Sequence, residues 1–203
     1  AWTDGSGTRN VTTAEDECII HYTEVKSQGT RHISIDSANN LWVSGTSKRN
    51  FDKVKGGRWD VPDSGTIMQS YDAVGFGGYG GLIDRNGFLW STGKIGSDLS
   101  NLLRWDTSKP LTGLNGDPDP VGPNIGPILP GFNWAGQRAH QSYGLCTDSQ
   151  GNVWVTELDA SSRSIHKYSS EGKHLLSTKH GGNRAQGCAV DKNDHVWVAH
   201  SDS

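Results

Sequence analysis

The sequence predicts an all-β chain, a β-propeller built of four-stranded antiparallel blades, with about four repeat equivalents in one domain or domain segment over residues 1–203. Three observations carry this expectation. A short unit recurs four times without a gap. The composition favours turns: glycine reaches 27 residues, and 17 of the 22 acidic residues are Asp rather than the helix-forming Glu. No segment of useful length shows the apolar period of a helix.

The unit reads Ile35-Asp36-Ser-Ala-Asn-Asn-Leu-Trp42-Val, Ile83-Asp84-Arg-Asn-Gly-Phe-Leu-Trp90-Ser, Thr147-Asp148-Ser-Gln-Gly-Asn-Val-Trp154-Val and Val190-Asp191-Lys-Asn-Asp-His-Val-Trp197-Val. Its turns span 36–42, 84–90, 148–154 and 191–197, with Asp-to-Asp periods of 48, 64 and 43 residues. One blade takes about 40–50 residues, so the long period marks an insertion. Each element has a physical reason. The Asp carboxylate accepts from backbone N–H groups just after it and fixes a tight turn. Gly, Asn or Asp three residues later tolerates the positive φ of a bulged hairpin. The Trp recurs in register, so it is expected to fill the gap between adjacent sheets.

Outer strands follow. Ile165–Tyr168, Gly172 and the run to Ser177 read as strand, turn, strand, and Trp59–Met68 has the same layout, with Gly65 matching Gly172. Leu103–Lys109 is a weaker copy. The chain opens on Ala1-Trp-Thr-Asp and closes on Val196-Trp-Val-Ala199, and Ala1 aligns with Ala199. This points to a segment of a larger propeller. A four-bladed ring, or other chains completing the propeller, are the alternatives.

Composition excludes some functions. Net charge is -3 and the pI about 6.2, which argues against nucleic-acid binding. No run of 18 apolar residues exists, which argues against membrane insertion by a helix, and AWTDGSGTRN lacks a basic-then-apolar leader. Cys18, Cys146 and Cys188 show no zinc or redox spacing. Asn115-Gly-Asp117-Pro-Asp119 has too few carboxylates for a calcium loop.

The run GNVWVTELDASSRSIHKYSSEGKHLL, residues 151–176, resembles the NHL and streptogramin-lyase-like propeller repeats. A sialidase-type Asp box fits less well, because its Ser-x-Asp-x-Gly start is absent. The resemblance implies a propeller. For a lyase it further implies a histidine base, a glutamate and a divalent metal (Mg or Ca) that open a lactone by elimination. Glu157 matches in the Trp-Val-Thr-Glu run, and His180 and His200 are the candidates for the histidine.

Strand order places the long b–c and d–a loops on one face, where a rigid scaffold carries function. Four segments are expected there: the basic Thr46–Lys55, the Pro/Gly-rich Thr112–His140, Glu157–Ser162 and Thr178–Arg184. Arg138, His140, Tyr143, Glu157, His180 and Arg184 are expected to cluster near the channel, with Trp134 and Phe132 as an apolar wall. Glu157 and His180 are the catalytic candidates. Trp134, Arg138, His140, Tyr143 and Arg184 are the ligand-binding ones. The sequence thus predicts a rigid binding or assembly module of a secreted or surface-exposed protein. Its partner is another protein, a glycan or a small molecule. A metal-dependent lyase and a structural subunit of a larger assembly are the alternatives.

Overall fold

The computed structural model describes residues 21–48, 50–58, 60–71, 77–93, 102–108, 142–158 and 163–202. These hold thirteen strands and no helix. Blade one is β1 (Gln28–Ile35), β2 (Leu41–Lys48), β3 (Phe51–Val54) and β4 (Ile67–Tyr71), and blade two is β5 (Gly81–Ile83), β6 (Phe88–Thr92) and β7 (Leu102–Asp106). Blade three is β8 (Ser142–Thr147), β9 (Val153–Glu157), β10 (Ser164–Tyr168) and β11 (His174–Lys179), and β12 (Asn183–Val190) pairs with β13 (Val196–Asp202). All pairs are antiparallel and sequential.

The four repeat turns share one hydrogen-bond set. One oxygen of Asp36 accepts from the backbone N–H of Ala38 and Asn40, and the other accepts from Trp42 Nε1 at 3.1 Å. Asp84 does the same for Asn86, Phe88 and Trp90 Nε1 at 2.8 Å. Asp148 serves Gln150, Asn152 and Trp154, and Asp191 serves Asn193, His195 and Trp197. The residues three after each Asp have positive φ: Asn39 at 63°, Gly87 and Gly151 at 82°, Asp194 at 62°. Burial pushes the Asp148 carboxyl up, but hydrogen bonds from Lys167, Asn152 and Trp154 outweigh it and bring it down to about 2.

The Trp thereby gains a fixed direction. Trp42 packs with Leu89, Leu103 and Trp105 of blade two, and Trp90 with Val153, Val155 and Tyr168 of blade three. The third strand of each blade lays a cation across its own Trp: Lys53 at 5.1 Å from the Trp42 ring, Arg104 at 5.6 Å from Trp90, Lys167 at 5.1 Å from Trp154. Each cation sits directly opposite its Trp in the strand register. Trp197 departs from this pattern. No third strand lies beside β13 among the described residues, and Trp197 is 64% exposed.

The inner strands approach closely. A Cβ on Gly144 of β8 would lie 2.4 Å from the Gln186 carbonyl oxygen and 2.8 Å from Gly187 Cα on β12. Gly144→Ala is therefore expected to part these strands and cost about 1–3 kcal/mol, read from the urea midpoint. Just beyond this contact Cys146 and Cys188 are neighbours with free thiols. The hydrogen bond to Cys146, and then burial, push the Cys188 thiol up. The wide spacing of the cysteines in sequence hid this pairing.

Two expectations need correction. Thr46–Lys55 is not a long loop. It holds the end of β2, which pairs with β1, and all of β3, whose Phe51 pairs back to Ser44; Phe51 is fully buried and Lys53 reaches Asp36 at 3.4 Å. Of the strand expected at Trp59–Val61, Trp59 lies outside the described residues, and residues 60 and 61 belong to the connection between β3 and β4, which runs on the face of the repeat turns. Gly65 does turn with positive φ, 81° against 88° at Gly172.

Candidate functional site

Glu157 ends β9, where Ser142 pairs with it across the sheet. Side chains alternate along a strand, so Glu157 shares the face of Val153 and Val155, towards blade two. It is 1% exposed, and its Oε1 lies 2.8 Å from His166 Nε2. His166 Nδ1 contacts Ser177 Oγ at 2.7 Å, and His174 Nε2 reaches the same hydroxyl at 2.8 Å. A polar chain thus runs from the buried carboxylate across β10 to the exposed Ser177 on β11. Burial first, then the Glu157 charge, push the Tyr168 phenol up. Blade one has a counterpart in the same register, where Ser70 Oγ donates to Asp52 at 2.6 Å and Ser27 donates to the other oxygen. The recurrence marks a brace between the third and fourth strands.

His180 follows β11, and its backbone N–H donates to the Arg163 carbonyl at 3.0 Å. Its ring lies 4.6 Å from the His200 ring, centroid to centroid. Neither His180 ring nitrogen has a hydrogen-bond partner of normal geometry among the described residues. Burial pushes the His180 imidazole below its ordinary value and His200 acts the same way, against the Gly182 backbone and the Glu157 charge. A lowered value leaves the ring neutral at pH 7. His200 Nδ1 bonds the Asn183 carbonyl at 3.0 Å, and Gly182 leaves room for that ring, since a Cβ there would lie 2.6 Å from it. Arg163, whose carbonyl accepts from His180, and Arg184, next to Asn183 in the chain, are both exposed and both at φ 47°. A left-handed conformation costs a side-chain-bearing residue about 1–3 kcal/mol and clusters at binding sites.

The sequence-predicted residues are thus divided. His180 and His200 meet at the junction of blade three with β12–β13, and Arg184 follows Asn183, whose carbonyl bonds His200. Glu157 turns towards blade two and takes His166, so it affects His180 only through its charge. The Tyr143 side chain lies against Tyr79, with rings 4.4 Å apart and hydroxyls in contact, and Arg31 stands 5.5 Å from the Tyr79 ring. Trp134, Phe132, Arg138 and His140 lie outside the described residues. The sequence reading missed His166, Ser177, Tyr79 and Arg163. The Ile-His-Lys-Tyr run alternates, and a strict two-residue period places His166 on the buried face with Tyr168. No three His, Cys, Asp or Glu side chains converge on a metal position among the described residues.

No protein-family model and no curated protein matches the sequence. Solved structures match in shape. A streptogramin B lyase superposes with a TM-score of 0.56 at 12% identity, over 87% of this chain and 50% of the lyase. A catalytically inactive virginiamycin B lyase from Staphylococcus aureus, with quinupristin, gives 0.59 at 14%, over 87% and 51%. The extracellular domain of a hybrid two-component system from B. thetaiotaomicron gives 0.55 at 14%, over 90% of this chain and 22% of that one. At such identities the likeness shows the fold, and the fold is that of β-propeller proteins. The chain spans about half the length of the two lyases. Among the described residues no helix is long and apolar enough to cross a membrane.

Proposed function

We propose that the chain is a rigid β-propeller binding module of a secreted or surface-exposed protein, and that it takes an acidic glycan or small carboxylate where blade three meets β12–β13. One observation carries the reading. Arg163 and Arg184 are both held in left-handed backbone conformations beside the His180–His200 pair. Two exposed guanidinium groups there suit a carboxylate or sulfate, which an arginine fork binds in bidentate fashion. The neutral His180 ring offers one donor and one acceptor nitrogen to a hydroxyl-rich ligand. The extracellular neighbour supports the location.

The test is calorimetry against a panel of acidic and neutral oligosaccharides. Acidic members are expected to bind tighter than about 1 mM, roughly -4 kcal/mol, and the Arg163→Ala, Arg184→Ala double variant to lose that binding. A panel in which no acidic member binds, or in which the double variant binds equally well, overturns the reading.

A lyase is the second reading, favoured by the 151–176 run and by the shape shared with the two lyases. Its test is chromatography of quinupristin incubated with the chain and Mg²⁺. Opening that Glu157→Gln abolishes supports this reading. Unaltered quinupristin rejects it.

A further inference from the structure

The junction of blade three with β12–β13 holds two of the three cysteines of the chain. Leu145 and Val155 pair across β8 and β9 and pack towards blade two. Side chains alternate along a strand, so Cys146 and its cross-strand partner Trp154 face the other way, towards β12. Cys188 of β12 faces back, since its Sγ lies 3.8 Å from the Trp154 carbonyl oxygen.

The backbone decides how these side chains meet. Gly144 of β8 lies against Gln186 and Gly187 of β12. Further along, the Ser149 backbone N–H donates to Asp194 Oδ1 at 2.9 Å. The two strands therefore run in the same direction, and two steps on from Gly144 and Gln186 stand Cys146 and Cys188. The thiols lie between these two tied points, share a hydrogen bond and are both half-buried.

We propose that Cys146 and Cys188 are a disulfide site that cross-links blade three to β12–β13 under oxidising conditions. A disulfide needs two side chains that converge from neighbouring backbones, which is the arrangement here. The oxidant is a small-molecule disulfide such as glutathione disulfide. One cysteine gives up its proton, and its thiolate attacks a glutathione sulfur, forming a mixed disulfide and releasing one glutathione thiolate. The second cysteine, also as its thiolate, then attacks the protein sulfur of that mixed disulfide and releases the other glutathione. Two electrons pass from the cysteines to the glutathione disulfide, and the released thiolates take up the two protons. Oxidants of this class act in secretory and extracellular compartments, so the bond suits the surface location proposed above and is independent of any ligand at the His180–His200 pair.

The test is incubation of the folded 203-residue chain in a glutathione buffer set to the poise of the secretory pathway, then intact mass, thiol alkylation and non-reducing peptide mapping. The oxidised chain is expected to be about 2 Da lighter and to yield a linked Cys146–Cys188 peptide with Cys18 alkylated. Its Tm should rise by roughly 5–15 °C, and dithiothreitol should remove the rise. Cys146→Ser and Cys188→Ser, with circular dichroism confirming that both stay folded, should each show no rise in the same buffer. Cysteines recovered free, or only as glutathione adducts, overturn the proposal. So does a linked peptide that contains Cys18.

Discussion

Replacing Trp90 by alanine is expected to remove about 3–5 kcal/mol of folding stability, the largest loss of any single substitution considered. The side chain is fully buried between blades two and three, against Leu102, Val153, Val155 and Tyr168. These neighbours belong to rigid strands and close only partly over the space left. The substitution also leaves the Asp84 carboxylate, itself 6% exposed, without its bond from the indole nitrogen. In a domain of this size the loss corresponds to a fall in Tm of roughly 6–20 °C. Urea denaturation of Trp90→Ala, Asp84→Ala and the double variant separates packing from hydrogen bonding, because coupled neighbours do not add. A loss under about 1 kcal/mol for Trp90→Ala would mean that the blades do not interlock through this residue.

Acid should weaken the fold through His32. The side chain is 1% exposed, with Nδ1 3.2 Å from Ser91 Oγ on β6 and Nε2 2.9 Å from Ser34 Oγ. The Phe51 ring meets it edge-on, and Gly81 leaves room for it, since a Cβ there would lie 2.0 Å from the imidazole. Burial lowers its pKa from 6.5 to about 3. The unfolded chain therefore binds a proton below about pH 6.5 that the folded chain refuses. This contribution is complete above that pH and is lost as pH falls towards about 3. The slope for one proton is about 1.4 kcal/mol per pH unit, so the step from pH 6.5 to 4.5 removes roughly 2–3 kcal/mol. Denaturation midpoints of wild type and His32→Asn across that range should converge on acidification. Parallel curves would mean that His32 takes up its proton in the folded state.

The blades and the candidate site were legible in the sequence to different degrees. The Asp-to-Trp unit is a local device. Its hydrogen bonds span two, four and six residues, so they are written in consecutive sequence, and the strand pairs on either side follow from it. That is why the blades, the positive-φ turn positions and the buried Trp residues could be read directly. Thr46–Lys55 misled because its charged residues suggested a loop, although alternation already put Phe51 on the face of Lys53 and Trp42. Of the loop expected at Thr178–Arg184 only 180–182 connects strands, because β11 runs to Lys179 and β12 starts at Asn183.

What the sequence determined by itself was the blade, because a turn and its anchored indole need only neighbours within a few residues. The tertiary structure decided how Glu157 is used. Its partner His166 is chosen by the register of β9 against β10 and by the face that blade two covers. It also decided that Cys146 meets Cys188 and that His180 meets His200, pairs separated by 42 and 20 residues. Such pairings arise only when whole blades stack, since the angle and closeness of two sheets are set by the summed packing of their faces rather than by any short segment.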